Sequence, residues 1–243
     1  MKPVLRWIGL ALISFLALEI FFAGRIALMT VLDPESTTFQ RSEAWRITQE
    51  RDRLRWSQHW VPYSHISDNL KRAVIASEDG SFINHDGVDW DALEKAWQRN
   101  EKAEELAAKR AMLAPARARP PKIVGGSTIT QQLAKNLLLS GERNLLRKGQ
   151  ELMLTMMLEH TLSKQRILEI YLNSVEWGEG VFGAEAAAQH YFRKPASRLT
   201  PREAARLAVM LPQPKRFEKT PGSPYLSSRT STIVARMPSA EVP

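Results

Sequence analysis

The sequence predicts a mainly α-helical protein carried on one N-terminal transmembrane helix. Three observations predict it. Residues 7–32 are apolar almost without interruption; the rest of the chain repeats apolar residues at helical spacing between recognisable caps; and no stretch sustains the apolar–polar alternation of a half-buried strand. At 243 residues, with 44% hydrophobic and 25% charged, the chain can bury a real core and has none of the marks of disorder.

The anchor comes first. Trp7 to Gly24 reads WIGLALISFLALEIFFAG, and IALMTVL follows Arg25 to Leu32. About twenty apolar residues cross a bilayer core. Lys2 and Arg6 precede the run, so the positive-inside tendency leaves the short N-terminus in the cytoplasm and the remainder outside. A cleaved signal peptide is the rival, but the run is long for one and no clean small-x-small site follows it before Asp33. Glu19 inside the span costs about 2.5–3.5 kcal/mol at the bilayer centre. Of a functional role, a partner helix and a tilt toward the interface near Arg25, the tilt is preferred.

Residues 33–66 form a polar, membrane-proximal connector whose Trp45, Trp56 and Trp60 suit the headgroup level. Ser67 is the N-cap of a helix, SDNLKRAVIAS, with Leu70, Val74 and Ser77 on one face, running into Glu78-Asp79. Asp89 caps a second helix in which Trp90, Leu93 and Trp97 share a face, while its later, charged half, with Glu105 and Lys109 four apart, is solvated. Pro115 to Lys122 breaks that helix with a basic, proline-rich, mobile loop. Further helices begin at GGSTITQQLAKNLLL, RKGQELMLTMMLEHTL and SKQRILEIYLN, the last with Ile167, Leu168, Tyr171 and Leu172 facing inward. Gly178, Gly180 and Gly183 punctuate the next stretch. Thr200-Pro201-Arg202-Glu203 is a capping box whose helix stops at Pro212, and after Phe217 a polar tail (218–243) loses periodicity.

The absence of cysteine excludes a disulfide scaffold, a thiolate metal site and a cysteine nucleophile. A net charge of +8 asks for an anionic partner: nucleic acid, a membrane surface or a phosphorylated substrate. His59, His65, His85, His160 and His190 are scattered without metal-ligand spacing.

Three clusters can carry chemistry. In GGSTITQQLAKN, glycines precede a helix that Ser127 or Thr128 can cap; Ile129, Leu133 and Leu137 form its buried stripe, and Thr128, Gln131, Gln132 and Lys135 a polar face. Such a helix end suits a phosphate, and Lys135 adds a full charge. Arg143, Arg147 and Lys148 gather just before Glu151, with Arg147 and Glu151 one helical turn apart. In ASEDGSFINHDG, Glu78 and Asp79 end a helix, where burial and the negative dipole end raise a carboxyl pKa toward that of a general base. Singly, each has an ordinary account: a capped surface helix, a weak surface ion pair, an acidic helix end.

Together these segments resemble the peptidoglycan glycosyltransferase family, the transglycosylases found alone or as the N-terminal half of bifunctional penicillin-binding proteins. EDxxFxxHxG is met by Glu78, Asp79, Phe82, His85 and Gly87. GxSTxTQQ is met by Gly125 to Gln132, with Lys135 and Asn136 following, RKxxE by Arg147, Lys148 and Glu151, and KxxILExYLN by Lys164 to Asn173. The resemblance covers about 67–217, and with no SxxK serine and little chain after Leu211 it points to the monofunctional form.

The resemblance implies a lysozyme-like helical lobe with a smaller membrane-proximal jaw. It implies that lipid II is polymerised into β-1,4-linked glycan with release of undecaprenyl pyrophosphate, by one inverting displacement. Glu78 would be the general base, Glu151 the residue that orients the cations or the acceptor, and Lys135, Arg143, Arg147 and Lys148, with the helix end at Ser127-Thr128, the pyrophosphate site. Asp79, Phe82, His85, Gln131, Gln132 and Asn136 complete the substrate site. No cofactor is required; whether a divalent cation (Mg or Mn) assists is not readable from the residues. The implied setting is a bacterial cytoplasmic membrane with the catalytic domain on the periplasmic side, and the implied partners are lipid II, the lipid-linked glycan and other cell-wall synthesis proteins, not nucleic acid. A lysozyme-like lytic enzyme or a non-catalytic lipid II-binding scaffold are the alternatives; the first has no use for cations at a pyrophosphate, and intact carboxylates argue against the second.

Overall fold

The computed structural model describes residues 2–50, 54–113, 120, 125–139 and 144–243. Helices dominate, as the spacing predicts. The first, α1 (Lys2–Leu28), is long and apolar enough to cross a membrane, with a mean hydropathy of 2.0 over its most apolar 18 residues. Most of its side chains face outward, and one stripe does not: Glu19, Phe22 and Ile26, continued just past the helix end by Met29, are buried against the rest of the protein. Glu19 Oε1 accepts a 2.7 Å hydrogen bond from Gln150 Nε2, and its other oxygen is buried without a partner. The expected tilt of Glu19 toward Arg25 is therefore replaced by a contact with the domain, because position 19 lies on the same stripe as Phe22 and Ile26.

Beyond α1 the helices α2 (Thr38–Glu50), α3 (Asp68–Glu78), α4 (Trp90–Leu113), α5 (Ile129–Leu138), α6 (Leu145–Thr161) and α7 (Lys164–Ser174) follow in order, then α8 (Ala184–Phe192), α9 (Pro201–Met210), α10 (Pro214–Lys219) and α11 (Pro224–Arg236). The core is one apolar cluster fed by most of them: Leu70 and Val74 of α3, Ile129, Leu133 and Leu137 of α5, Ile167 and Leu168 of α7, Leu207 of α9. Burying each such side chain contributes about 1.5–3 kcal/mol. A short sheet, β1 (Ser57–Gln58), β2 (Glu176–Gly178) and β3 (Val181–Phe182), has the order β1-β3-β2, with β1 parallel and β2 antiparallel to β3.

The local signals hold where they rest on capping. Ser67 accepts from Leu70 N, Asp89 from Ala92 N, and Thr200 with Glu203 forms the expected capping box. Three readings change in three dimensions. Trp90 and Trp97 of α4 are turned outward, whereas Ala96 is buried and, with the partly exposed Leu93, packs against Gly126. Trp56 stacks on Phe182 with centroids 4.5 Å apart and Trp60 packs on the core, so of the connector tryptophans only Trp45 is turned outward. The segment after Phe217 is helical: α11 packs on α3 and α9 through Leu226 and Ile233. Most of the 115–122 loop lies outside the described residues.

Candidate active site

Glu78 is the last residue of α3, where the chain leaves the core and turns through Gly80. Burial pushes its carboxyl up from the usual range, and Asp79 adds to this; hydrogen bonds from Gln132 and Ser77, with the charge of Arg229, hold it back. Gln132 Nε2 donates to Glu78 Oε2 at 3.2 Å, and Tyr171 Oη donates to Gln132 Oε1 at 2.9 Å. The tyrosine fixes the amide so that its NH2 end meets the carboxyl. Glu78 is thus held proton-affine in one orientation by α5 and α7.

Asp79 points the other way. Its Oδ2 accepts from Ile129 N at the start of α5 (2.9 Å) and its Oδ1 is 2.8 Å from His85 Nε2. The carboxylate thereby occupies the positive end of α5, and the Glu78 turn is braced on the Thr128–Gln131 segment. Thr128, rather than Ser127, is the cap: it forms a capping box with Gln131 and its hydroxyl donates to Gly87 O at 2.6 Å. Gly87 has φ +86°, and a Cβ there would come within 2.7 Å of Thr155 Cγ2, so the position admits only glycine. Phe82 is fully buried beneath this loop, and Lys164 donates to His85 O at 2.5 Å. Asp79, Phe82, His85 and Thr128 therefore shape the site from below, whereas Ser127, Gln131, Gln132, Lys135 and Asn136 line its surface.

The cations come from α6. Glu151, buried, accepts from Arg147 (3.1 Å) and, in a shorter contact, from Lys148. The turn of helix that the spacing anticipates is present, and Glu151 fixes both cations. Arg147 Nε is buried with no hydrogen-bond partner among the described residues, a donor left for an anion. Arg143 lies outside the described residues.

These groups meet. A cleft of about 710 Å³ is lined by Glu78, Ser127, Gln132, Lys135, Asn136 and Arg147, with an apolar flank from Phe39, Val175, Leu211 and Pro212. A second cavity of about 500 Å³ adjoins it, sharing Ser127, Gln132, Lys135 and Arg147 and adding Lys148 and Glu151. One half therefore offers a buried acid beside apolar walls, the other a set of cations, with Lys135 and Arg147 at the junction. No group of metal-ligating side chains occurs among the described residues.

Residues 46–238 match the family model described as Transglycosylase. The chain belongs to the transglycosylase family. The transglycosylase is an enzyme, a glycosyltransferase, and its relatives are close over nearly their whole length. It is 50% identical over 242 residues to the "Biosynthetic peptidoglycan transglycosylase" of Paraburkholderia xenovorans (strain LB400), covering 98% of this chain and 94% of that protein. It is 51% identical over 246 residues to the protein of that name from Burkholderia thailandensis, covering 100% and 90%.

Several contributors to the transglycosylase's site escape a reading of the sequence. Tyr171 reads as one more inward residue of an amphipathic helix; Arg229 sits in what reads as a tail; and Glu176 hides between Val175 and Trp177. The alternating polar residue in a short buried run was the available signal for Glu176.

Proposed function

We propose that this transglycosylase polymerises lipid II into β-1,4-linked glycan and releases undecaprenyl pyrophosphate. The reading rests above all on one observation: Glu78, proton-affine and oriented, lines the same cleft as Lys135 and Arg147. Glu78 takes the proton from the acceptor's 4-hydroxyl as that oxygen bonds to the donor's anomeric carbon. The bond from that carbon to the pyrophosphate oxygen breaks on the opposite face, so the configuration inverts. The pyrophosphate leaves as a stabilised anion and needs charge compensation more than a proton. Lys135 supplies it together with Arg147 and Lys148, which Glu151 holds ready, and stabilisation of this kind is worth several kcal/mol of barrier. Arg143 joins them in this reading, and no cofactor enters the step.

The setting follows from the substrate. Lipid-linked donor and acceptor are held in the bilayer, so we place α1 across the bacterial cytoplasmic membrane with Lys2 and Arg6 inside and the catalytic domain on the periplasmic side. Its partners are then lipid II, the growing lipid-linked glycan and other proteins of cell-wall synthesis. The relatives are named for biosynthesis of peptidoglycan, which favours building over cutting. Incubation of the full chain with labelled lipid II tests this: long glycan is the expected product, and shortening of preformed glycan without any elongation overturns it.

A further inference from the structure

Glu176 is a second buried acid in the cleft, and the displacement just described does not use it. It is 7% exposed, opens β2 directly after α7, and lines the cleft on the flank formed by Val175, Leu211 and Pro214. Its Oε1 is buried without a hydrogen-bond partner among the described residues. That same oxygen is ion-paired at 3.4 Å with Lys215 Nζ of α10, a cation committed more tightly to Glu43 of α2, itself gripped by Arg46. A buried, under-satisfied carboxyl on the wall of an occupied site is costly to keep unless the ligand completes it.

We propose that Glu176 is a substrate-recognition residue, accepting a hydrogen bond from a hydroxyl or amide N–H of the uncharged sugar bound on the apolar flank. The inference rests on the glycosyl-transfer reading of the same cleft. The two cavities divide the labour: Lys135, Arg147 and Lys148 gather where they join and take the diphosphate, while the flank of Val175, Leu211, Pro212 and Pro214 is apolar and suits a sugar, whose faces are apolar and whose edges are polar. Four titratable groups surround Glu176: Lys215 from α10, Glu43 and Arg46 from α2, and Tyr191 from α8. Burial outweighs Lys215 and lifts the Glu176 carboxyl to about 7. Its ionised, accepting form therefore fills as pH rises through that value, and binding of the sugar strengthens in the same direction.

The test uses the full chain in lipid nanodiscs with lipid II, measuring kcat and KM from about pH 6 to about pH 8.5. In the unaltered protein KM is expected to fall as pH rises through about 7. Glu176→Ala should raise KM about 10- to 100-fold, the loss of one hydrogen bond to a charged group, with kcat changed far less; Glu176→Gln should flatten the pH dependence of KM. If either variant fails to fold, the KM profile of the unaltered protein decides alone: a flat profile overturns the proposal, as do variants with unaltered KM. Absence of any glycan from the unaltered protein would instead overturn the glycosyl-transfer reading beneath it.

Discussion

Glu78 carries two consequences that can be separated by pH. Because its pKa is raised in the fold by burial, the folded state holds the proton more tightly than the unfolded chain, so its contribution to stability is full below the unfolded value of 4.5 and is lost as pH rises through the folded one. Ionisation, which the proposed base role requires, therefore works against stability. Glu78→Gln is expected to cut catalysis by orders of magnitude while raising the melting temperature at alkaline pH; a variant that melts lower at every pH would show that the carboxyl is not strained by its burial. Lys135, exposed at the junction of the two cavities, is assigned to the donor in the proposed reaction. Lys135→Ala should weaken donor engagement, read as raised KM for lipid-linked glycan, and unchanged donor affinity and rate would remove it from the pyrophosphate site. Residue types and spacing made Glu78, Lys135 and the Arg147–Glu151 pair legible in the sequence, because their geometry is local to one helix each. The hold of Asp79 on Ile129 N was not legible: the partners are fifty residues apart, and only folding reveals that this carboxylate serves the α5 helix end.

At the scale of elements, α5 and α6 carry the polar and cationic walls of the cleft, and both are pinned. Thr128→Ala removes the α5 cap and the bond to Gly87 O, and is expected to cost about 0.5–2 kcal/mol in thermal or denaturant unfolding; an unchanged midpoint would contradict that role. α6 is pinned from the other side by α1. Gln150 neighbours Glu151, so the Glu19–Gln150 bond links the apolar helix to the turn that presents the cations. Gln150→Leu leaves both Glu19 oxygens buried and unpartnered, which costs about 1–3 kcal/mol. Adding Glu19→Leu should restore most of that loss in a double-mutant cycle, whereas simple additivity of the two would mean that the bond contributes nothing. Capping boxes and apolar stripes gave these helices away in the sequence. The outward face of Trp90 and Trp97 and the docked α11 did not show, because periodicity reports that a helix has a face but not what the face meets.

For the whole molecule, the apolar helix is built into the fold rather than hung from it. Phe22, Ile26 and Met29 join the main core, and Arg166 of α7 bonds the Met29 and Leu32 carbonyls and pairs with Asp33. With α1 placed in the bilayer as proposed, these contacts fix the position of the catalytic domain relative to the membrane. The decisive measurement is the polymerisation rate of purified lipid II by the full chain in nanodiscs, unaltered and as Glu78→Gln. The unaltered protein should extend glycan and the variant should fall by about 10²–10⁴-fold while still binding lipid II; full turnover by Glu78→Gln would contradict the account.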